Sequence, residues 1–300
     1  MMREIDAEQV VNVRTVPLRS PFRFPGGKTW LVPRIRQWMS AWRDSHGGRP
    51  AEFIEAFAGG AIVGLTVAFE GLADHVVATD IDDDIASVWQ TILDEDTEVN
   101  ARWLAGEIMT FEPTRMCVEE LLSRNPRDRR DLAFRTLVRN RVNRGGIMAP
   151  GAGMLRRGEA GKGLRSRWYP ETLARRILAI ADARELIEFR HEDGLRVIRE
   201  YQARDDVVFF IDPPYTTGSK QTGRRLYAYS NVDHDALFEV MGSVAGDFVM
   251  TYSNTDGAQS LAERHGFETL VAPMKNTHHA RSTELVIGRD LHWVRHTASP

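Results

Sequence analysis

Two periodicities alternate along this chain. Short unbroken apolar runs between turn-forming residues alternate with stripes at helical spacing. The clearest run is Val207-Val208-Phe209-Phe210-Ile211, bounded by Asp206 and by Pro213-Pro214. Five apolar residues without a polar interruption predict a strand buried on both faces of a parallel sheet. The prolines cannot continue its ladder, so the chain must break at the strand's carboxyl end. Further strands are predicted at Ala51–Glu55, His75–Thr79, Ile187–His191, Phe248–Tyr252 and Thr283–Ile287. Between them Leu31, Ile35, Trp38, Met39 and Trp42 fall on one face of an amphipathic helix. Helices follow over Ile62–Phe69, Ile85–Leu93, Leu195–Tyr201, His234–Met241 and Ala258–Arg264. Strand–helix alternation of this kind predicts an α/β fold. From 94 to 183 the alternation stops: four helical segments, around Trp103-Leu104, Val118–Leu122, Asp131–Val138 and Tyr169–Ala181, follow one another without a strand. The expected organisation is an extension over 1–20, a sheet domain from 21–93 and 184–292, and an insertion over 94–183.

The composition narrows the class. No apolar run approaches the roughly 20 residues that span a membrane, and Met1–Asp6 lacks the apolar core of a signal peptide. Cys117 is the single cysteine, which excludes an internal disulfide and a cysteine-only metal site. A reducing cytoplasm is the natural setting. The net charge of −3 conceals a block: Arg124 to Arg167 holds thirteen Lys/Arg against three Asp/Glu, leaving −13 for the remainder. An acidic body with one basic segment points to a localised polyanion contact. A solvated helix face competes as an explanation for Arg124 to Arg139. The glycine- and arginine-rich stretch Arg139 to Gly153 is expected to be an exposed loop or hairpin, suited to nucleic-acid phosphates.

Candidate chemistry gathers at strand ends, where open α/β sheets place ligands. Asp212 and Tyr215 follow the central strand. The segment Phe53-Ile54-Glu55-Ala56-Phe57-Ala58-Gly59-Gly60 reads as strand, glycine turn and helix start of a nucleotide-type βαβ unit. Asp80 closes the next strand, about 20–25 residues beyond the glycines, where a carboxylate can accept ribose hydroxyls. Asp82, Asp83 and Asp84 suit the first turn of the following helix. Neither Gly-x-Gly-x-x-Gly nor Gly-Lys-Ser/Thr occurs, so a nucleoside cofactor without phosphates fits better than a dinucleotide. Phe24-Pro25-Gly26-Gly27-Lys28 lets backbone approach a ligand just before a helix, with Lys28 on its first turn. Asp193 follows a strand end, and residues 216–231 form a loop long enough to fold over a site. The nine histidines form no convincing ligand cluster, and no metal is expected.

In this order the motifs resemble the Dam-type DNA adenine-N6 methyltransferases, in particular their phage and restriction–modification relatives. The resemblance spans about Pro21 to Arg289. It implies a class I S-adenosylmethionine-dependent methyltransferase, a Rossmann-like mixed seven-stranded sheet, with a helical and hairpin insertion that reads double-stranded DNA. It further implies a metal-free monomer of a bacterial or phage-infected cytoplasm, with any cognate restriction enzyme acting separately. By motif position, Asp212, Pro213, Pro214 and Tyr215 carry catalysis. S-adenosylmethionine falls to Phe24, Lys28, Glu55, Phe57, Gly59, Asp80, Asp193 and Asp212. DNA contacts fall to Arg141, Asn143, Arg144, Arg156 and Arg157. Several positions depart from the family: Phe24 stands for a tryptophan, Ala56 for a proline, and Thr79-Asp80-Ile81-Asp82 for an Asn-Asp pattern. The loop Gly145 to Gly153 does not match GATC-specific members. Amino-group methylation in ribosomal RNA, cytosine-N4 methylation and an inactive DNA-binding relative stay open as alternatives.

Overall fold

The computed structural model describes residues 3–4, 16–24, 27–94, 97–149, 151–158, 161–214, 232–275 and 281–296. The apolar run Val207–Ile211 forms β5, every residue of it buried, inside a single sheet. The other strands are β1 (Arg3–Glu4), β2 (Glu52–Ala56), β3 (His75–Thr79), β4 (Ile187–Arg190), β6 (Asp247–Ser253), β7 (Glu268–Lys275) and β8 (Arg281–Gly288). Their order is β1-β7-β8-β6-β5-β2-β3-β4, and β8 alone runs antiparallel to its neighbours. The expected seven strands thus gain a two-residue edge strand, β1, drawn from the segment read as a featureless extension. β7 was not legible as a separate strand because Pro273 interrupts it; the ladder forms all the same, with Pro273 opposite Thr283.

Alternation along the strands divides the core. Phe53, Val208, Phe210 and Val249 face one apolar cluster, with α1 (Val32–His46), α2 (Ile62–Phe69) and α3 (Asp83–Leu93). Ile54, Val207, Phe209 and Ile211 face the other, with α8 (Gly194–Tyr201), α9 (His234–Ser243) and α10 (Asp256–Arg264). The α1 stripe is buried as its spacing predicts, and Trp38 donates Nε1–H to Asp247 at 2.7 Å. Register does the rest. Ala56 pairs with both Thr79 and Ile211, so β2, β3 and β5 end level. The next residues, Phe57, Asp80 and Asp212, therefore emerge side by side.

Between α3 and β4 lie α4 (Thr97–Thr110), α5 (Arg115–Ser123), α6 (Arg129–Val142) and α7 (Pro170–Asp182). Leu104, Leu137 and Ile177 belong to the same apolar cluster as Trp89 of α3, so these helices share the sheet's core. The basic block is partly neutralised. Arg129, Arg139 and Arg165 pair with Asp94, Asp84 and Glu112, and Arg130 lies 5.2 Å over the Trp103 ring.

The expectation of an exposed loop from Arg139 onward needs correction. Helix α6 continues to Val142, and Asn140, Arg141 and Asn143 are buried. Asn140 accepts the backbone N–H of Arg23 at 2.9 Å and donates to the carbonyls of Arg23 and Gly146 at 2.9 and 2.8 Å. Arg141 donates to the carbonyl of Pro21, and Asn143 to that of Ile147 at 2.8 Å. Polar side chains that look solvated in sequence are here spent on backbone, much of it brought in from the N-terminal segment at Pro21 and Arg23. Arg144, Gly145, Gly151, Gly153, Arg156 and Arg157 are exposed as expected, around a single antiparallel bridge between Asn143 and Met154. Gly146 permits the close approach: its φ is +77°, and a Cβ there would sit 2.0 Å from the Arg23 carbonyl oxygen.

Asn140→Ala should strand three buried backbone groups and lower stability by roughly 1–3 kcal/mol. Urea unfolding measures this; an unchanged midpoint would show that water replaces those bonds freely.

Candidate active site

The level strand ends open into one cavity of about 830 Å³. Phe24, Lys28, Glu55, Phe57, Gly59, Asp80, Asp193, Asp212 and Pro214 all line it, together with Arg141. Pro213 is buried behind Asp212. Asn143, Arg144, Arg156 and Arg157 do not line it. Tyr215 and the loop 216–231 lie outside the described residues, as do Pro25 and Gly26.

The turn after β2 is built under strain. Phe57 and Ala61 hold φ of +65° and +47°, a left-handed conformation that costs a non-glycine residue roughly 1–2 kcal/mol. Such outliers persist where surrounding structure holds them, commonly at functional sites. Here Ala58 N–H donates to the Thr79 carbonyl at 2.8 Å, and Trp89 Nε1–H to the Gly59 carbonyl at 2.9 Å. The Phe24 ring lies on this turn: a Cβ at Gly60 would come within 3.1 Å of it.

Two carboxylates are tied to the same turn. Glu55 accepts Gly64 N–H at 2.6 Å, in the first turn of α2, where helix amides lack partners. A Cβ at Gly64 would lie 2.5 Å from that carboxylate oxygen and would force it to shift. Glu55 is thus both a cavity-lining acid and a cap of α2. Burial pushes its carboxyl up to about 8, against the lowering effect of the Gly64 N–H. Asp80 accepts Gly59 N–H at 2.8 Å and Asp82 N–H at 3.0 Å, and burial raises it to about 6. Of the three aspartates expected to cap α3, Asp82 does so, accepting Asp84 and Ile85 N–H. Asp84 instead pairs with Arg139, while Asp83 lies 3.4 Å from His191. Asp193 caps α8, accepting Arg196 N–H at 3.2 Å.

Asp212 occupies the end of β5. One oxygen accepts the Thr251 hydroxyl at 2.7 Å, and the other meets Lys28 Nζ at 2.8 Å. Lys28, with its side chain 6% exposed, also lies 3.5 Å from buried Glu284. Burial raises the Glu284 carboxyl, Asp212 adds to this, and Lys28 opposes it. Thr251 and Glu284 were not legible as site residues, because strand pairing across distant sequence brings them to Asp212. The one available signal was Glu284 itself, a charge beside the apolar run Leu285–Ile287.

A central parallel strand ending in an acid, beside a glycine turn and a second acid, on a sheet with one antiparallel strand near its edge, defines the class I methyltransferase fold. The family model of D12 class N6 adenine-specific DNA methyltransferases matches residues 24–121, in support of the resemblance carried by the motifs. Among solved structures, the precorrin-6y C5,15-methyltransferase of Geobacter metallireducens is 11% identical, with coverage of 95% of this chain and 94% of that one and a TM-score of 0.37. The rRNA methyltransferase aviRa of Streptomyces viridochromogenes is 14% identical, with coverage of 89% and 84% and a TM-score of 0.36. Likeness at that level carries no weight for substrate. No curated protein matches significantly.

The raised Glu55 carboxyl sets a pH dependence. Folded protein holds this proton up to about 8, whereas an unfolded chain releases it near 4.5. Stability therefore falls as pH rises through that window. Asp80 and Glu284, both shifted upward, act in the same direction. Glu55→Gln should flatten the decline between about pH 6 and 8. Urea midpoints measured across that range that fall as steeply in the variant as in the wild type would contradict the assignment.

Proposed function

We propose that this protein transfers a methyl group from S-adenosylmethionine to the N6 amino group of an adenine flipped out of double-stranded DNA. The observation that supports this most is the fixed Asp212 carboxylate, held by Lys28 and Thr251 at the end of β5 and followed by two prolines. The cavity's size falls within the roughly 300–1,000 Å³ of small-molecule sites. Its donor set suits the proposed cofactor: Glu55, Asp80 and Asp193 offer acceptors for a cationic nucleoside, and the glycine turn lies against the Phe24 ring. When bound, S-adenosylmethionine would supply an electrophilic methyl group on its sulfonium.

The chain's own residues then do the positioning. The adenine N6 lone pair is delocalised into the ring and is a poor nucleophile. Asp212 and the carbonyl of Pro213 each accept one N–H of the amino group, which directs the nitrogen lone pair outward along one line. Lys28 and Thr251 keep the Asp212 carboxylate in place, so little reorganisation accompanies the reaction. A base inside a duplex cannot reach this cavity; flipping costs a few kcal/mol and is easier at weakened pairs. Exposed Arg144, Arg156 and Arg157 are suited to neutralise DNA phosphates outside.

Labelled S-adenosylmethionine offered with duplex DNA, single-stranded DNA and ribosomal RNA tests the substrate. Label should enter duplex DNA as N6-methyladenine; label in RNA or in cytosine, or none at all, would replace this reading with one of the alternatives. Asp212→Ala should lower turnover by at least ~100-fold, whereas Asp80→Ala should weaken cofactor binding by calorimetry and leave DNA affinity at saturating cofactor unchanged. Retention of more than a few per cent of turnover in the first variant would remove Asp212 from catalysis.

A further inference from the structure

Arg23 on the N-terminal segment, Arg141 on α6 and Arg176 on α7 line the cavity, and no carboxylate among the described residues pairs with any of the three. Several other arginines pair closely with acids, as at Arg190 with Glu188 and Glu200. Here the partners are backbone carbonyls. Arg141, 5% exposed, donates to the carbonyl of Pro21, and its buried Nε has no partner among the described residues; Arg176 donates to the carbonyl of Ser20 at 3.1 Å. The Arg23 side chain makes no ion pair among the described residues, although Asn140 holds its backbone on both sides. Arg141 senses the other two, and Arg23 senses Arg167, which also lines the cavity. Burial lowers all three, and Arg176 and Arg23 each lower Arg141 further, to about 9. Tyr169, exposed at the rim, is the other side chain that both Arg23 and Arg141 feel.

Crowded, desolvated like charges are costly unless an anion completes them. Guanidinium forks match phosphate oxygens in geometry and charge. The cluster is carried by α6, α7 and the N-terminal segment, none of which belongs to the β2–α2 turn that would take the cofactor. We propose that Arg23, Arg141 and Arg176 form an internal pocket for one phosphodiester of the DNA strand that enters the cavity. This rests on the reading of DNA as substrate. The pocket differs from the exposed arginines in that it grips the backbone beside the presented nucleotide, and so helps to hold that nucleotide out of the duplex.

Arg23→Gln and Arg176→Gln, singly and together, test this while leaving buried Arg141 in place. Sodium phosphate, compared with sodium chloride at equal ionic strength, should raise the wild-type thermal midpoint and should not raise that of the double variant. An equal rise in both would overturn the pocket. Mixed-sequence duplexes with native backbones, or with one strand neutralised by methylphosphonates, identify the source of the phosphate. Neutralisation should weaken wild-type binding by about tenfold more than it weakens the double variant. Equal losses, even with the phosphate response intact, would make this a site for free phosphate and refute the proposal. So would loss of S-adenosylmethionine affinity in the variants, which would assign the arginines to the cofactor's carboxylate. Binding needs no methyl transfer, so a protein that methylates no adenine would fail the functional reading separately from this one.

Discussion

A lysine buried between two carboxylates is the constraint on which the site depends. Lys28 reaches Asp212 at 2.8 Å and Glu284 at 3.5 Å with its side chain almost wholly out of solvent. Removing one member of such a buried group typically costs 3–5 kcal/mol, because the charge left behind has no compensation. The three residues come from the N-terminal segment, the end of β5 and the antiparallel β8. The ion pairs therefore do more than orient a carboxylate. They fasten the segment that carries Phe24 to the sheet, and so set one wall of the cavity.

The adjoining part of the cavity depends on a strained turn. Phe57 and Ala61 sit in left-handed conformations, and the glycines between them bring backbone against the Phe24 ring. Glu55 and Asp80 bond to amides of that turn and of α2, so the acids that would meet a cofactor also hold the loop that shapes its site. Shape and charge are thus coupled, and the upward shifts of both carboxyls follow from their burial at this junction.

The helices between α3 and β4 complete the cavity by packing into the sheet's own apolar cluster. Their polar residues divide by location. Asn140 and Arg141 bond the N-terminal segment, with Arg141 also lining the cavity, whereas Arg144, Arg156 and Arg157 remain at the surface. One run of basic and amide residues therefore serves two purposes, separated by whether each residue lies on α6 or in the segment beyond it.

By itself the sequence determined the α/β class, the buried central strand, the α1 stripe, and the placing of Asp80 and Asp212 at strand ends. Each of these is a local consequence of apolar period or of chain-breaking residues, which neighbouring positions suffice to reveal. The lining of the cavity by Phe24, Lys28 and Glu55 was legible through motif order. Tertiary structure alone decided the partners of Asp212, since Thr251 and Glu284 reach it by strand register across distant sequence. It also decided that Asn140, Arg141 and Asn143 are interior. A polar residue's burial depends on which backbone groups arrive to bond it, and for Asn140 and Arg141 these include groups more than a hundred residues away, at Arg23 and Pro21.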